Sequence, residues 1–561
     1  MPKIFIDNKE FEFQPGQTVI EVARENGIDI PHFCWHPKLS VSGNCRVCLV
    51  EVEKMPKLMI ACSTLAADGM VVHTQSEKAI AARNAVMEFI LINHPLDCPI
   101  CDEAGECKLQ DYAYKYSGGE SRFVENKNHK QKHVQLGPNV MFDGERCISC
   151  SRCIRFCDEI AKDPELTFVQ RGDRVTITTF PGEEMDNPYS MNTIDICPVG
   201  ALTSKDFRFR ARVWDMSSTK SICTGCSKGC NIDVWVRNNE VMRLTPRFNE
   251  QVNSYWMCDE GRLNSFKHVN AEDRIDGPWL RKEGQLEQVG WDEIFAEITL
   301  RIKSFSKDEI AFLGSPYATN EDNYLLAKFA RSVIGCNNID FMRHHNSDFA
   351  DNFLKQEDIT PNTLGAELVG MSPSKSGLDF EKIIKATKEK KIKALYILED
   401  DLIAADPQLE DILSKLDLLI VHAYNSNKTT AIADIILPAS TAAEKNGTFV
   451  NQDGMVQRIR PAVATIDVDR ALDGMEMSRL DKFGTKFDRW MNGVKRDARP
   501  SWNILVSLAA LLGHKMKFNM AESVFAELSN TIDAFKGIDY DDIGETGIKI
   551  TTANIENKVN A

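Results

Sequence analysis

Cys147-Ile148-Ser149-Cys150-Ser151-Arg152-Cys153, answered downstream by Cys197-Pro198, is the stretch that decides how this chain is built. Three thiols within seven residues can wrap one cube-shaped inorganic cluster, and a remote cysteine followed by proline can close the cage. Outward from there, sixteen of the seventeen cysteines lie between positions 34 and 258, and fifteen of them, with one histidine, fall into four groups of four. These are Cys34, Cys45, Cys48, Cys62; His94, Cys98, Cys101, Cys107; Cys147, Cys150, Cys153, Cys197; and Cys223, Cys226, Cys230, Cys258. Only Cys157 and Cys336 are left over. The chain reads as a string of four metal centres.

A length of 561 residues suggests about three to five domains and an ample core. The hydrophobic share of 43 % is ordinary for a soluble globular protein. No apolar run approaches the roughly 18–20 residues of a membrane helix, and the start lacks the apolar block of a signal peptide. A cytoplasmic setting follows as an expectation; there cysteines stay reduced, and metal ligation is favoured over disulfides. A net charge of −15 argues against a nucleic-acid partner.

Along the chain, residues 3–7 and 11–13 suggest a hairpin turning around Asn8-Lys9-Glu10. Thr18 with Glu21 forms a capping box and predicts a helix over 19–26, with Gly27 as its end cap and Pro31 blocking continuation. Hairpin, helix and cysteine-bearing loop follow one another in the order of a plant-type ferredoxin. Ser76 caps a second predicted helix whose apolar face would be Ile80, Val86, Phe89, Ile90 and Ile92, and Pro95 stops it. Residues 117–138 look like an exposed connector. After Cys258, helix-like segments (291–305, 323–334, 380–390) alternate with short aliphatic runs (310–313, 394–398, 418–421), which predicts βαβ units and a parallel sheet.

Each set has a competing reading. Cys34-x10-Cys45-x2-Cys48-x13-Cys62 suits a [2Fe–2S] cluster, in which each iron takes two thiolates; a structural zinc also takes four cysteines. His94-x3-Cys98-x2-Cys101-x5-Cys107 needs its histidine because no unassigned cysteine lies nearby, and an imidazole in place of a thiolate should raise a cluster's potential; a Cys3His zinc site is the alternative. The third set is the most specific and reads as [4Fe–4S], as in bacterial ferredoxins. Cys157 continues its run but precedes Asp158, not proline, and no second cysteine triplet awaits it, so it reads as a free or buried thiol. Cys223-x2-Cys226-x3-Cys230-x27-Cys258 reads as [4Fe–4S], with a zinc ribbon as its rival. Cys336 reads as a core cysteine.

The order and spacing of the four sets resemble the large iron–sulfur subunit of bacterial respiratory complex I, the NADH:quinone oxidoreductase. Asp195-Ile196-Cys197-Pro198-Val199-Gly200-Ala201-Leu202 and Arg208-Phe209-Arg210-Ala211-Arg212 also resemble it. Residues 270–460 are similar to molybdopterin oxidoreductases, on the phrases Asn323-Tyr324-Leu325-Leu326, Gly335-Cys336-Asn337-Asn338-Ile339-Asp340, Ala433-Asp434-Ile435-Ile436-Leu437-Pro438 and Glu444-Lys445-Asn446-Gly447-Thr448-Phe449, with Asn451 and Gln457-Arg458. That family ligates molybdenum through Cys, selenocysteine or Ser near the Asn-Asn-Ile-Asp phrase. Here Phe341-Met342-Arg343-His344-His345-Asn346-Ser347 follows, with no cysteine, and Ser347 lacks matching context.

The resemblance implies a multidomain α/β protein. Its expected parts are a plant-type ferredoxin-like (β-grasp) [2Fe–2S] domain over 1–78, a His/Cys3 [4Fe–4S] domain over 79–118, and a ferredoxin-like [4Fe–4S] domain over 138–207. A [4Fe–4S] domain of molybdopterin-oxidoreductase type over 216–272 follows, then a degenerate molybdopterin-oxidoreductase-like α/β domain over 273–561 without its metal site and with a shortened C-terminus. It further implies one [2Fe–2S] and three [4Fe–4S] clusters, no molybdenum, and electron transfer from a flavin subunit toward quinone, coupled by the complex to proton translocation. No residue acts as acid, base or nucleophile. Expected partners are the flavin-bearing, NADH-oxidising subunit and other hydrophilic-arm subunits. The expected location is the cytoplasmic side of the inner membrane, peripheral, reached only through the assembled complex. The alternatives are a soluble formate dehydrogenase subunit, which needs the missing molybdenum ligand, and a zinc-stabilised scaffold. An iron-only hydrogenase would need cysteines beyond Cys336, and there are none. Residues 464–561 carry no functional motif.

Overall fold

The computed structural model describes residues 1–117, 121–374, 376–466 and 493–550. The chain divides into two compact units, Met1–Val213 and Trp214–Ala561.

The first unit opens with a five-stranded mixed sheet in the order Lys9–Glu12, Lys3–Ile6, Met70–His73, Leu49–Val52, Met59–Ile60. The hairpin forms, but its turn lies at Asp7-Asn8, not at the expected Asn8-Lys9-Glu10, and Lys9 and Glu10 pair in the second strand. Asp7 and Asn8 both take positive φ (49° and 66°), the conformation a two-residue hairpin turn demands and one these residue types tolerate. The helix Val19–Glu25 starts at the expected capping box, with the Thr18 backbone N–H donating to Glu21 Oε2 at 2.7 Å. Its Val19 and Val22 pack with Ile4, Ile6, Val50 and Val72 into one core.

The second helix, Glu77–Leu91, begins at Ser76, whose hydroxyl accepts from the Ala79 backbone at 3.3 Å. Its buried face is not the expected one. Ala79, Arg83 and Met87 are buried, while Phe89 is 73 % exposed. Arg83 causes the rotation: its guanidinium lies 5.4 Å from the centre of the Tyr116 ring and donates to the Leu49 carbonyl at 3.1 Å, docking the helix on the strand and on the helix Lys108–Tyr116.

The second unit begins with a three-stranded antiparallel sheet, Ser217–Ile222, Asn231–Arg237 and Glu240–Pro246. Next comes a seven-stranded sheet in the order Gln285–Gln288, Trp279–Lys282, Ile435–Pro438, Leu418–Ala423, Ala394–Ile397, Ile310–Gly314, Ile339–Phe341. Its last five strands are parallel, as the alternating pattern predicts. The helices Trp291–Ile302, Asn320–Lys328 and Phe380–Lys388 fall where expected, but the middle one starts three residues early, at a Thr319/Asp322 capping box. The helices Ser501–Leu511 and Ala521–Thr531 pack Leu505, Leu508, Phe525 and Leu528 into the same core as the sheet. Residues 467–492 and 551–561 of the tail lie outside the described residues.

A buried ionic knot joins these layers. Lys445 Nζ sits 2.7 Å from Asp322 Oδ2 and 2.9 Å from both Glu399 oxygens, with its side chain 1 % exposed. Burial disfavours its charge, but the two carboxylates more than offset this and raise its pKa. Removing one partner of a buried pair strands the other charge, at a cost of about 3–5 kcal/mol. Lys445→Met is therefore expected to destabilise the second unit by that amount, read as a lower urea midpoint in circular dichroism; an unchanged midpoint would show that the knot contributes nothing net.

Candidate metal centres

The first set hangs on a loop between the helix Val19–Glu25 and the strand Leu49–Val52, with Cys62 just past the strand Met59–Ile60. The sulfurs of Cys45 and Cys62 act on the Cys34 thiol, and that of Cys62 on Cys48. Their influence pulls the Cys34 thiol far down; Cys34 and then burial push Cys45 far up, and Cys34, then Cys48, then burial push Cys62 far up. Close sulfur pairs linked to one another are what two irons, each holding two thiolates, require.

The second set follows the helix Glu77–Leu91. Cys98 opens a single turn that ends at Cys101, and Cys107 caps the helix Lys108–Tyr116. Burial pushes the His94 pKa down to about 4, so its imidazole is neutral at pH 7, the form a metal takes. His94 Nδ1 is buried without a hydrogen-bond partner among the described residues. An orphaned nitrogen on a neutral ring fits a metal ligand. Cys101 and Cys107 are buried, and burial pushes Cys107 up to about 12. Asp97, between His94 and Cys98, is held by Arg146 at 2.8 Å and Lys132 at 3.1 Å.

The third set is the best defined. Cys147, Cys150, Cys153 and Cys197 line one cavity, whose wall includes the apolar Phe142, Ile177, Val199 and Leu202 and the charged Arg152. Ser149 and Ser151 take positive φ (53° and 64°), which turns the chain between successive thiols. Burial pushes Cys147 up to about 11 and Cys153 and Cys197 well above the usual thiol range. Ligation has to displace those protons, so raising the pH favours loading. Cys157 lies one helical turn past Cys153 and does not line the cavity; burial, then the charges of Glu165 and Asp163, push it up to about 12.

In the second unit, Cys223 follows the strand Ser217–Ile222, Cys226 and Cys230 occupy the next loop, and Cys258 caps the helix Asp259–Asn264. All four are buried, and the charges of Cys223, Cys226 and Cys258 act on Cys230. The backbone N–H of Gly225 donates to the Cys223 sulfur at 3.5 Å and that of Gly261 to the Cys258 sulfur at 3.3 Å. Two residues of the molybdopterin-oxidoreductase-like phrases brace this loop: Asn451 Nδ2 donates to the Lys228 carbonyl at 3.0 Å, and Gln457 Nε2 to the Gly229 carbonyl at 2.8 Å.

Among the described residues, no three His, Cys, Asp or Glu side chains converge closely enough to hold a single ion. Sulfurs spread around a cavity, as in the third set, suit a polynuclear cluster better than one zinc. A larger cavity of about 920 Å³ adjoins the fourth set at Thr224 and Gly225. No cysteine lines it, and the one serine that does, Ser265, donates its hydroxyl to the Gly261 carbonyl. Cys336 is buried against the Ile310 carbonyl and Ser347 is exposed; neither lines the cavity, so these residues do not fit a molybdenum ligand.

Spatial order within the first unit departs from chain order. The charge of Cys34 acts on Cys150, and Arg155 Nη2 donates to the carbonyls of both Cys34 and Cys150. Asn44 Nδ2 donates to the Ser149 carbonyl at 3.1 Å. On the other side, the Cys107 sulfur lies 3.9 Å from the Pro198 carbonyl. The third set thus stands beside both the first and the second.

Five family models match in order along the chain. They are the 2Fe-2S iron-sulfur cluster binding domain (2–77), the NADH-ubiquinone oxidoreductase-G iron-sulfur binding region (83–122), the ferredoxin-like domain of NADH-quinone oxidoreductase subunit 3 (137–203), the molybdopterin oxidoreductase Fe4S4 domain (216–270) and molybdopterin oxidoreductase (274–364 and 362–467). The chain is thus a multidomain α/β protein that joins [2Fe–2S]- and [4Fe–4S]-binding domains to a molybdopterin-oxidoreductase-like body. More narrowly, it is similar to the subunit of NADH-quinone oxidoreductase designated G in bacteria. It is 43 % identical over 338 residues to that subunit from Rickettsia bellii (60 % of this chain, 49 % of the relative). It is 41 % identical over 376 residues to that of Streptomyces coelicolor (66 % and 44 %). It is 43 % identical over 304 residues to the mitochondrial NADH-ubiquinone oxidoreductase 78 kDa subunit of Neurospora crassa (53 % and 40 %). The chain spans about half the length of the curated relatives it matches.

Spacing alone misses Gly200, Arg146, Arg152 and Arg155; the basic residues between and beside ligating cysteines were the available signal. A Cβ at Gly200 would overlap the Cys101 sulfur and approach Glu103 Cβ to 2.9 Å. Gly200→Ala is expected to abolish the second cluster's EPR signal while leaving the fourth intact; retention of all signals would show that the loop yields. Cys157→Ser is expected to leave the iron content unchanged, and a drop of about four irons per chain would make Cys157 a ligand.

Proposed function

We propose that this chain is an electron-transfer subunit of a NADH:quinone oxidoreductase, carrying electrons one at a time from a flavin subunit toward quinone. The observation that carries this reading is the adjacency of the first, third and second ligand sets within one unit. Ligands are Cys34, Cys45, Cys48 and Cys62 for a [2Fe–2S] cluster. His94, Cys98, Cys101 and Cys107; Cys147, Cys150, Cys153 and Cys197; and Cys223, Cys226, Cys230 and Cys258 each hold a [4Fe–4S] cluster. Once bound, such clusters supply reversible one-electron chemistry. The protein's part is to set spacing and potential: adjacency favours the order first, third, second, the neutral His94 withholds one negative charge, and the N–H groups on the Cys223 and Cys258 sulfurs stabilise added charge.

The fourth site, in the other unit, is read as off this path and mainly structural. The five-part division at 1–78, 79–118, 138–207, 216–272 and 273–561 belongs to the same reading. So does the absence of molybdenum, which the residues around the second unit's large cavity support. The relatives' printed names support assembly with other subunits of the complex; a flavin-bearing, NADH-oxidising partner belongs to the same reading. Among the described residues no helix is long and apolar enough to cross a membrane, which accords with a peripheral place on the cytoplasmic side, reached through the complex.

Anaerobic reconstitution is expected to give about 14 irons per chain, with EPR signals of both cluster types on reduction. About four zincs and no signals would reverse the assignment to a scaffold. In the assembled complex, Cys150→Ala is expected to abolish NADH-to-quinone turnover, and undiminished turnover would take the third site off the path.

A further inference from the structure

Arg152 stands between two of these sites. It opens the helix Arg152–Glu159, and the residue is 4 % exposed. Nη1 donates to the Ile196 carbonyl at 3.0 Å and Nη2 to the Trp35 carbonyl at 2.5 Å. Ile196 precedes Cys197 of the third set; Trp35 follows Cys34 of the first. One guanidinium thus staples both ligand-bearing loops.

Its surroundings lack a conventional counter-charge. After burial itself, the groups that bear most on Arg152 are the sulfurs of Cys150, Cys197, Cys45 and Cys34, and among the described residues no carboxylate pairs with it. It lines the cavity shared by the four thiols of the third set. Its Nε–H is buried and has no acceptor among the described residues. Neighbouring Arg155 differs: it is only half-buried, and its Nε donates to Ser151 Oγ at 3.1 Å. A buried cation with no anion is costly, and so is a buried N–H with no acceptor. Both costs are relieved when the ligand sets hold anionic iron–sulfur clusters, whose sulfurs accept hydrogen bonds.

We propose that Arg152 is the shared counter-cation of the first and third sites, donating Nε–H to sulfur at the third and raising the reduction potentials of both. The proposal rests on reading these sets as iron–sulfur sites. A fixed positive charge favours the more negative, reduced state. Placed between two sites, it also eases the repulsion between an electron on one and an electron arriving at the other.

The test is a redox titration of the full reconstituted chain, followed by EPR. In Arg152→Gln, the first and third midpoints are expected to fall by at least tenfold in the one-electron equilibrium, about 59 mV each, while the second and fourth hold. Arg152→Lys, which keeps the charge and loses the planar fork, is expected to recover most of that fall. Unchanged midpoints in Arg152→Gln with full iron content would overturn the proposal. So would equal falls in both variants, which reduce Arg152 to a loop staple. If neither variant retains iron, the wild-type chain labelled with ¹⁵N-arginine decides: pulsed EPR of the reduced third site should show coupling to an arginine nitrogen, and none overturns the proposal. A wild-type chain that takes up no iron at all would bring down the site assignment itself, a result distinct from failure of the Arg152 proposal alone.

Discussion

Like charges must be buried close together in this protein, and the first unit is organised around that conflict. Thiolates are costly to desolvate, yet the proposed relay needs its centres near one another and away from water. Three devices offset the cost. Cationic side chains reach into the ligand-bearing segments: Arg146 beside Cys147 pairs with Asp97 at 2.8 Å, and Arg152 and Arg155 bind carbonyls next to or on the cysteines. In the proposed second set, the neutral imidazole of His94 stands where the other sets have a fourth cysteine. The close approach of the second and third ligand loops at Gly200 leaves no room for a side chain.

The second unit meets a related problem differently. Its polar core is a knot of Lys445, Asp322 and Glu399, extended by the Tyr424 hydroxyl at 2.8 Å and the Trp502 backbone N–H at 2.8 Å. These groups come from separate strands, helices and loops, so the knot specifies how the parallel sheet meets the helices above it. The large cavity next to the fourth set opens onto this core at Glu399 and Asp400, and carboxylates also line it at Glu260, Asp273 and Asp401. The molybdopterin-oxidoreductase-like body thus keeps a large cavity that no cysteine lines.

Much of the architecture was legible because its signals are local. The Thr18/Glu21 capping box started a helix where expected, and the aliphatic runs after Cys258 became the inner strands of a parallel sheet. The failures came where tertiary contacts outweighed local preference. The helix Glu77–Leu91 turns its long apolar side chains partly outward because Arg83, not a hydrophobic residue, finds the partners that dock it. The first hairpin turns one residue earlier than composition suggested, because Asp7 and Asn8 supply both left-handed positions.

By itself, the amino-acid sequence determined the class of each domain and singled out the proposed ligand sets, because metal coordination constrains residue identity and spacing along the chain. Only the tertiary structure decided which sets are neighbours. Adjacency of the first and third sets depends on loops far apart in the chain meeting through Asn44, Arg152 and Arg155, and that of the third and second on the missing side chain at Gly200. Electron transfer depends on distance through space, and spacing along a chain carries no record of it.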